Sequence, residues 1–182
     1  MIHYFTPYSV SKELGVIYNY YCNLVPNDND YICIRDGDVM FPFSTFGQQI
    51  ETAVKNYNSQ YDLFTCYTNR ISNKHQLYKG EFSNESNLLE LLKIARKLEK
   101  EKYAQVKKID HIISGPVLIF KKKLWKQKQF PEKSSKGSIL GIETDWIKIL
   151  MKRGVRIGLI EGLYVIHSYR LLDGKENISH LI

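Results

Sequence analysis

The sequence predicts an α/β domain in which a mostly parallel mixed sheet is flanked by helices. Three observations carry that expectation. Short runs rich in β-formers alternate with amphipathic helical stretches along the chain. The first three elements read strand, helix, strand, the order of a crossover unit with parallel strands, which is right-handed in nearly every case. The apolar run Tyr31-Ile32-Cys33-Ile34 is too brief for a membrane span and suits a strand buried on both faces.

Taken in order, Ile2-His3-Tyr4-Phe5-Thr6 reads as the first strand and Pro7-Tyr8-Ser9 as the turn that leaves it. Ser11 is placed to cap a helix whose apolar stripe is Leu14, Ile17, Tyr18, Tyr21 and Leu24. Pro26 and the polar Asn27-Asp28-Asn29-Asp30 end it, and the strand from Tyr31 follows at once. Thr45-x-x-Gln48 has the spacing of a capping box, opening a helix with Phe46, Ile50, Ala53, Val54 and Tyr57 on one face. Tyr61 to Tyr67 is the next strand and runs into Thr68-Asn69-Arg70.

After a loop containing Tyr78-Lys79-Gly80, a long helix is expected from about Asn87 to Lys107, with Leu88, Leu91, Leu92, Ala95 and Leu98 inward. Ser114 to Phe120 is an apolar strand entered through Gly115-Pro116, and Lys121 to Lys128 starts a short basic helix carrying Trp125. Phe130 to Gly141 is Gly/Ser/Lys-rich and reads as a mobile loop. Glu143-Thr144-Asp145 opens a helix with Trp146, Ile149 and Leu150 inward, stopped by Gly154. Two acids in a first turn favour the helix dipole, so a structural role is open to them. The chain closes with strand residues Arg156 to Ile160, the turn Glu161-Gly162, and Leu163 to Arg170.

The 182 residues suit one domain, with residues 1–80 and 81–182 as its two halves, and a hydrophobic content of 43% argues against wholesale disorder. No run approaches the length of a transmembrane helix and the N-terminus lacks the layout of a signal peptide, so a cytosolic protein is expected. Cys22, Cys33 and Cys66 match no zinc spacing and read as reduced core residues. The net charge of +7 is uneven: residues 1–80 hold 6 Lys+Arg against 7 Asp+Glu, residues 81–182 hold 20 against 12. Lys121, Lys122, Lys123, Lys126, Lys128, Lys133 and Lys136 concentrate the basic character. Such a cluster suits a phosphorylated substrate, an anionic membrane surface or nucleic acid, although a solvated basic loop is the ordinary reading of any single lysine.

The chemistry-bearing stretch is Asp36-Gly37-Asp38 at the end of the buried run. Two carboxylates one residue apart can hold a hard divalent cation such as Mg²⁺ or Mn²⁺, which takes oxygen ligands from protein and phosphate together. The glycine between them lets a diphosphate approach the backbone. Asp-Gly is equally a strong hairpin signal, and a type I′ turn between two antiparallel strands is the competing reading. Pro42, interrupting the segment that would form the second strand, speaks against it.

The series Thr6-Pro7-Tyr8, Leu14-Gly15-x-x-x-Asn19, Asp36-Gly37-Asp38, Gly115-Pro116, Gly141-Ile142-Glu143-Thr144-Asp145-Trp146, Arg153-Gly154 and Tyr164 to Arg170 resembles the GT-A glycosyltransferases, closest to short members of family two. The resemblance implies a compact, Rossmann-related GT-A-like fold and transfer of a sugar from a nucleotide-sugar, a UDP-sugar favoured, to a glycan or lipid-linked acceptor. It implies that Asp36 and Asp38 hold Mn²⁺ or Mg²⁺ against the donor diphosphate, with His167 as a further ligand. Thr6, Pro7, Tyr8, Asn19, Asp36, Gly37 and Arg170 fall at donor contacts.

Glu143 falls at the family's catalytic acid and Asp145 two residues on. Ile142 replaces the usual first acid of that motif, so the base is either Glu143 or Asp145, with Glu143 favoured because residues two apart on a helix do not share a face. Full GT-A domains carry another strand-helix unit before the paired aspartates, so the nucleotide side is expected to be reduced. Arg70 and Arg170 stand beyond strand ends, where a guanidinium forks well onto phosphate or acceptor oxygens. The lysines from 121 to 136 are expected on the acceptor side. A metal-dependent nuclease or phosphohydrolase, and a silent nucleotide-binding module, are the alternative classes; nucleic acid is the less favoured partner.

Overall fold

The computed structural model describes residues 1–10, 13–135 and 141–168. Ser11, Lys136, Tyr169 and Arg170 lie outside them, as does part of the Phe130 to Gly141 loop, so the cap assigned to Ser11 and the contact assigned to Arg170 fall on undescribed positions. In chain order the strands are β1 (Ile2–Phe5), β2 (Tyr31–Arg35), β3 (Val39–Met40), β4 (Leu63–Thr68), β5 (Val106–Ile109), β6 (Val117–Lys121) and β7 (Ile157–His167). The helices are α1 (Leu14–Leu24), α2 (Phe46–Tyr57), α3 (Leu88–Lys102), α4 (Lys122–Gln127) and α5 (Ile142–Lys152). None of the described helices is long and apolar enough to cross a membrane.

The strands form one sheet in the order β1-β2-β6-β4-β7-β3, with β5 also on β7. β1 pairs parallel with β2, and β4 parallel with β7. β6 runs antiparallel to both β2 and β4, and β3 and β5 run antiparallel to β7. The sheet is therefore mixed, with four strands pointing one way and three the other, and less parallel than the sequence suggested. The reason is β6: the chain enters it from the acidic end of β2, so it slots between β2 and β4 head to tail with both.

Side chains alternate across β2, and this divides the core. Ile32 and Ile34 join Tyr18 and Cys22 of α1, Leu91 and Ala95 of α3, and Trp146 of α5. Cys33 faces the other way, toward Ile50, Ala53 and Val54 of α2. Trp146 is fully buried and stacks on Phe130 with ring centroids 4.1 Å apart. The three cysteines are free and buried, as expected, and burial raises each thiol above its ordinary value.

Four local expectations are corrected. The long helix stops at Lys102, and the chain turns through Ala104, at φ +52°, into β5. The Val106-x-x-Ile109 pattern of an edge strand was hidden by the preceding helical charge pattern. Glu161-Gly162 is not a turn: β7 continues through it, and a bulge shifts the β4 partner from Ile160 for Cys66 to Tyr164 for Tyr67. A Cβ on Gly162 would stand 2.5 Å from the Lys102 carbonyl oxygen, which is why the bulge carries glycine. Thr45 does not cap with its side chain; its hydroxyl donates to Glu99 Oε1 at 2.5 Å instead. Along α5 it is Ile142, Trp146, Ile147 and Leu150 that are buried, in place of Ile149.

Candidate metal centre

Because β1, β2, β4 and β7 share one direction, their carboxyl ends collect at one edge of the sheet, where open α/β sheets bind ligands. Thr6 follows β1, Asp36 follows β2, Asn69 and Arg70 follow β4, and His167 ends β7. The turn at 36–38 is fixed by its backbone. The Asp36 N–H donates to Pro116 O at 3.0 Å, the Val39 N–H to Asp36 O at 3.2 Å, and the Ser168 N–H to Asp38 O at 2.9 Å. Arg35 braces it by donating to Thr6 Oγ1 at 2.8 Å and to Val39 O at 3.0 Å. The strand leaving the turn, β3, pairs with β7 and not with β2, so Asp-Gly is not a hairpin between neighbouring strands.

Asp36, Asp38 and His167 each present a ligand atom, and these three atoms lie within 4.8 Å of one another. His167 is oriented from both sides. Its backbone N–H donates to Asn69 Oδ1 at 2.7 Å, and its Nδ1 lies 2.7 Å from Arg70 O. A carbonyl oxygen only accepts, so Nδ1 carries a hydrogen and Nε2 is the atom presented to Asp38 Oδ1, 3.3 Å away. A ring nitrogen tied to a backbone carbonyl while the other faces carboxylates is the arrangement that orients metal-binding histidines.

The charges in this cluster are unbalanced. Burial and the nearby charges of Glu143 and Asp38, only partly offset by His167, push Asp36 up to about 7. Burial would also raise Asp38, but its hydrogen bond to His167 and the imidazole's charge bring it below the ordinary value. For His167, burial acts downward and is outweighed by the Asp38 hydrogen bond and charge, the Arg70 carbonyl and Asp36, which raise it. Three carboxylates around one imidazole leave an excess of negative charge that a divalent cation would neutralise. Two carboxylates and an imidazole suit Mn²⁺, and Mg²⁺ with more of its ligands drawn from water or phosphate.

Glu143, from the first turn of α5, is brought to this cluster from 107 positions away. Tyr18 of α1 donates to its Oε1 at 2.5 Å. Burial raises the Glu143 carboxyl above its ordinary value, with the Tyr18 hydrogen bond and its own backbone N–H acting against the shift. Burial and the charges of Glu143 and Asp36 hold the Tyr18 phenol far above its usual range, so it stays a donor. Room for the carboxylate arm comes from Gly115, where a Cβ would stand 2.5 Å from Glu143 Cγ and 2.7 Å from its Cβ. Gln76 sets that backbone in place: its Oε1 accepts from the Ser114 N–H at 2.7 Å and its Nε2 donates to Ser114 O at 3.1 Å and to Thr65 Oγ1 at 2.9 Å.

Other expected site residues have different partners. Asp145 Oδ2 accepts from the Ser135 N–H at 2.7 Å and Oδ1 faces Lys148 Nζ at 3.3 Å, and these contacts, the Ser135 bond first, hold its carboxyl below the usual range. It anchors the preceding loop and shares no contact with Asp36. Asn19 Oδ1 accepts from Trp125 Nε1 at 2.8 Å and from the Phe130 N–H at 3.0 Å, while Nδ2 donates to Phe130 O at 3.0 Å, so the amide fastens the chain after α4 to α1. Thr6 accepts from Arg35, and Tyr8 is 76% exposed beyond Pro7. A Cβ on Gly37 would meet only Thr6 Cγ2 at 4.0 Å, so packing does not demand glycine there and the backbone stays approachable.

Lys121, Lys122 and Lys126 are held away from the metal cluster. Lys121 pairs with Tyr31 at the opposite end of β2 from Asp36, because β6 is antiparallel. Lys122 is buried, with Nζ donating to Asn23 O at 3.3 Å and to Val25 O at the end of α1, and Lys126 pairs with Asp28 at 2.8 Å. Reading the sequence missed Tyr18, Gln76 and Asn69. Only Tyr18 left a signal, a phenol in an apolar helical stripe that needs a partner for its hydroxyl. No family model matches this chain, and no curated protein matches its sequence.

Proposed function

We propose that this chain is a divalent-metal-dependent glycosyltransferase of GT-A type, moving a sugar from a nucleotide-sugar, a UDP-sugar favoured, to a hydroxyl of a glycan or lipid-linked acceptor. The observation that carries the reading is the convergence of Asp36, Asp38 and His167 with Glu143, a partly buried carboxylate of raised proton affinity delivered by a separate helix. Asp36, Asp38 and His167 would hold Mn²⁺ or Mg²⁺. When bound, that ion neutralises charge developing on a nucleoside diphosphate leaving group.

Glu143 takes the proton of the acceptor hydroxyl at a carboxylate oxygen. As the acceptor oxygen bonds to the sugar's anomeric carbon, the bond from that carbon to the diphosphate oxygen breaks and its electron pair leaves with the diphosphate. Raised proton affinity serves this role, since a base is most useful when its pKa approaches the working pH. Tyr18 fixes the carboxylate's direction, and Gly115 leaves the space through which it reaches.

The test is turnover of UDP-sugars with Mn²⁺, read as release of UDP from a panel of donors, in the wild type and in Asp38→Ala. Release that requires Mn²⁺ and is lost in the variant supports the reading. Indifference to UDP-, GDP- and CDP-sugars, together with salt-sensitive cleavage of DNA or RNA, replaces it with a nuclease.

A further inference from the structure

At the carboxyl end of β4, one hydrogen bond from His167, sits a cationic side chain without a counter-charge. Arg70 is 3% exposed, and its guanidinium has one hydrogen bond, from Nη1 to the neutral Asn84 Oδ1 at 3.2 Å. Its Nε is buried with no acceptor. No carboxylate pairs with it among the described residues. Its Cζ lies over the Phe82 ring, 5.0 Å from the centroid. The preceding residue repeats the pattern: Asn69 is 1% exposed, its Oδ1 takes the His167 N–H, and its Nδ2 is a buried donor with no partner. A buried charge left unpaired, beside a second orphaned donor, is costly and calls for an acceptor from outside the chain.

Beside these groups lies a cavity of about 670 Å³ lined by Asn69, Tyr78, Phe82, Asn84 and Tyr164 among others. Aromatic faces interleaved with amides and hydroxyls form the wall that a sugar ring requires, apolar for its C–H face and hydrogen-bonding at its edge. Lys79 borders the cavity together with Glu81 and Glu85, so two acids face one lysine and a multiply charged phosphate is disfavoured. Arg70 stands behind the wall, held by two lining residues, through its hydrogen bond to Asn84 and its contact with Phe82, where a single carboxylate would meet it. We propose that this cavity binds an acidic sugar, a uronate-type residue of the acceptor, with its carboxylate on Arg70 and Asn69. The inference rests on the transferase reading only in calling the sugar part of the acceptor; recognition of an acidic sugar stands on the cavity together with Arg70 and Asn69.

The experiment is titration of the full chain, without nucleotide or metal, with glucuronate, glucose and inorganic phosphate in separate arms, followed by calorimetry or chemical-shift change. Glucuronate is expected to bind at least about tenfold more tightly than glucose, the worth of one charge-assisted hydrogen bond. Arg70→Gln should abolish the difference. Because that variant alters a buried residue, Asn84→Asp is the second arm: it gives the guanidinium a carboxylate of its own, so the chain should fold normally and lose the preference for glucuronate. Equal or absent binding of glucuronate and glucose overturns the proposal, as does a preference undiminished in Asn84→Asp, or binding of phosphate in place of glucuronate. UDP release that persists alongside such a failure leaves the transferase reading intact, and glucuronate binding without any UDP release leaves the cavity assignment intact.

Discussion

Tyr18 and Glu143 stand 125 positions apart in the sequence and meet in a 2.5 Å hydrogen bond from phenol to carboxylate. That bond joins the first helix to the fifth beside the acidic turn, and it works against the burial that raises Glu143. Tyr18→Phe removes the donor and keeps the ring, which tilts against Phe130 at 5.1 Å. The variant should lose about 1 to 2 kcal/mol of stability. Its Glu143 should titrate higher than in the wild type, moving the acidic limb of the pH–rate profile upward. A profile that does not move would mean that the phenol does not set the base.

Glu143→Gln should retain donor and metal binding while turnover falls by a factor on the order of 10² to 10⁴, the usual worth of a general base. Asp145→Asn should keep turnover within about threefold, because its carboxylate is occupied by Ser135 and Lys148. Steady-state rates of UDP release in the two variants decide which residue is the base. A reversed ranking would transfer the role to Asp145.

Gly115 predicts a second route to the same loss. Gly115→Ala places a methyl 2.5 Å from Glu143 Cγ, so the side chain must shift. The expected cost is about 1 to 3 kcal/mol of stability by thermal melting, with turnover reduced and Mn²⁺ affinity unchanged. Retained turnover would show that the arm of Glu143 has another path to the substrate.

Asp36 gives a pH dependence of definite sign. Its folded carboxyl is raised from an ordinary 3.8 to about 7, so between those values the folded chain holds a proton that the unfolded chain has released. Its contribution therefore lowers stability as pH rises through that window. Asp36→Asn should flatten the decline relative to the wild type in chemical denaturation at a series of pH values. Saturating Mn²⁺ should do the same in the wild type, since the ion requires the ionised form, and the apparent Mn²⁺ affinity should climb with pH and level off above about 7. Parallel stability curves for wild type and Asp36→Asn would contradict this assignment.

The elements that announce themselves locally were legible in the sequence. The run from Tyr31 to Arg35 ends at the paired aspartates as expected, and the apolar stripes of α1, α2 and α3 face the core except for Leu24 of α1 and Leu88 of α3, which are exposed. Asp36, Asp38 and His167 could be nominated one at a time, since acids after a buried strand and a histidine at a strand end are visible in the chain. What brings them together was not legible. It depends on β7 lying parallel to β4 and on β3 crossing to β7, pairings between segments about 100 residues or more apart. β5 was hidden because Lys107 and Lys108 continue the charge pattern of the helix before them. Asn19 and Asp145 carry side chains suited to ligand binding, and only their partners Trp125, Phe130 and Ser135 reveal the loops that they fasten.

The claim that the paired aspartates and His167 form a divalent-cation site is tested most directly by the spectroscopic signal of free Mn²⁺ titrated with the protein at neutral pH. The wild type is predicted to remove one equivalent from solution, more tightly when UDP is present, whereas Asp36→Asn and Asp38→Ala each weaken binding by at least about tenfold. Binding of Mn²⁺ that is absent from the wild type with UDP present, or equally strong in Asp38→Ala, would contradict the account.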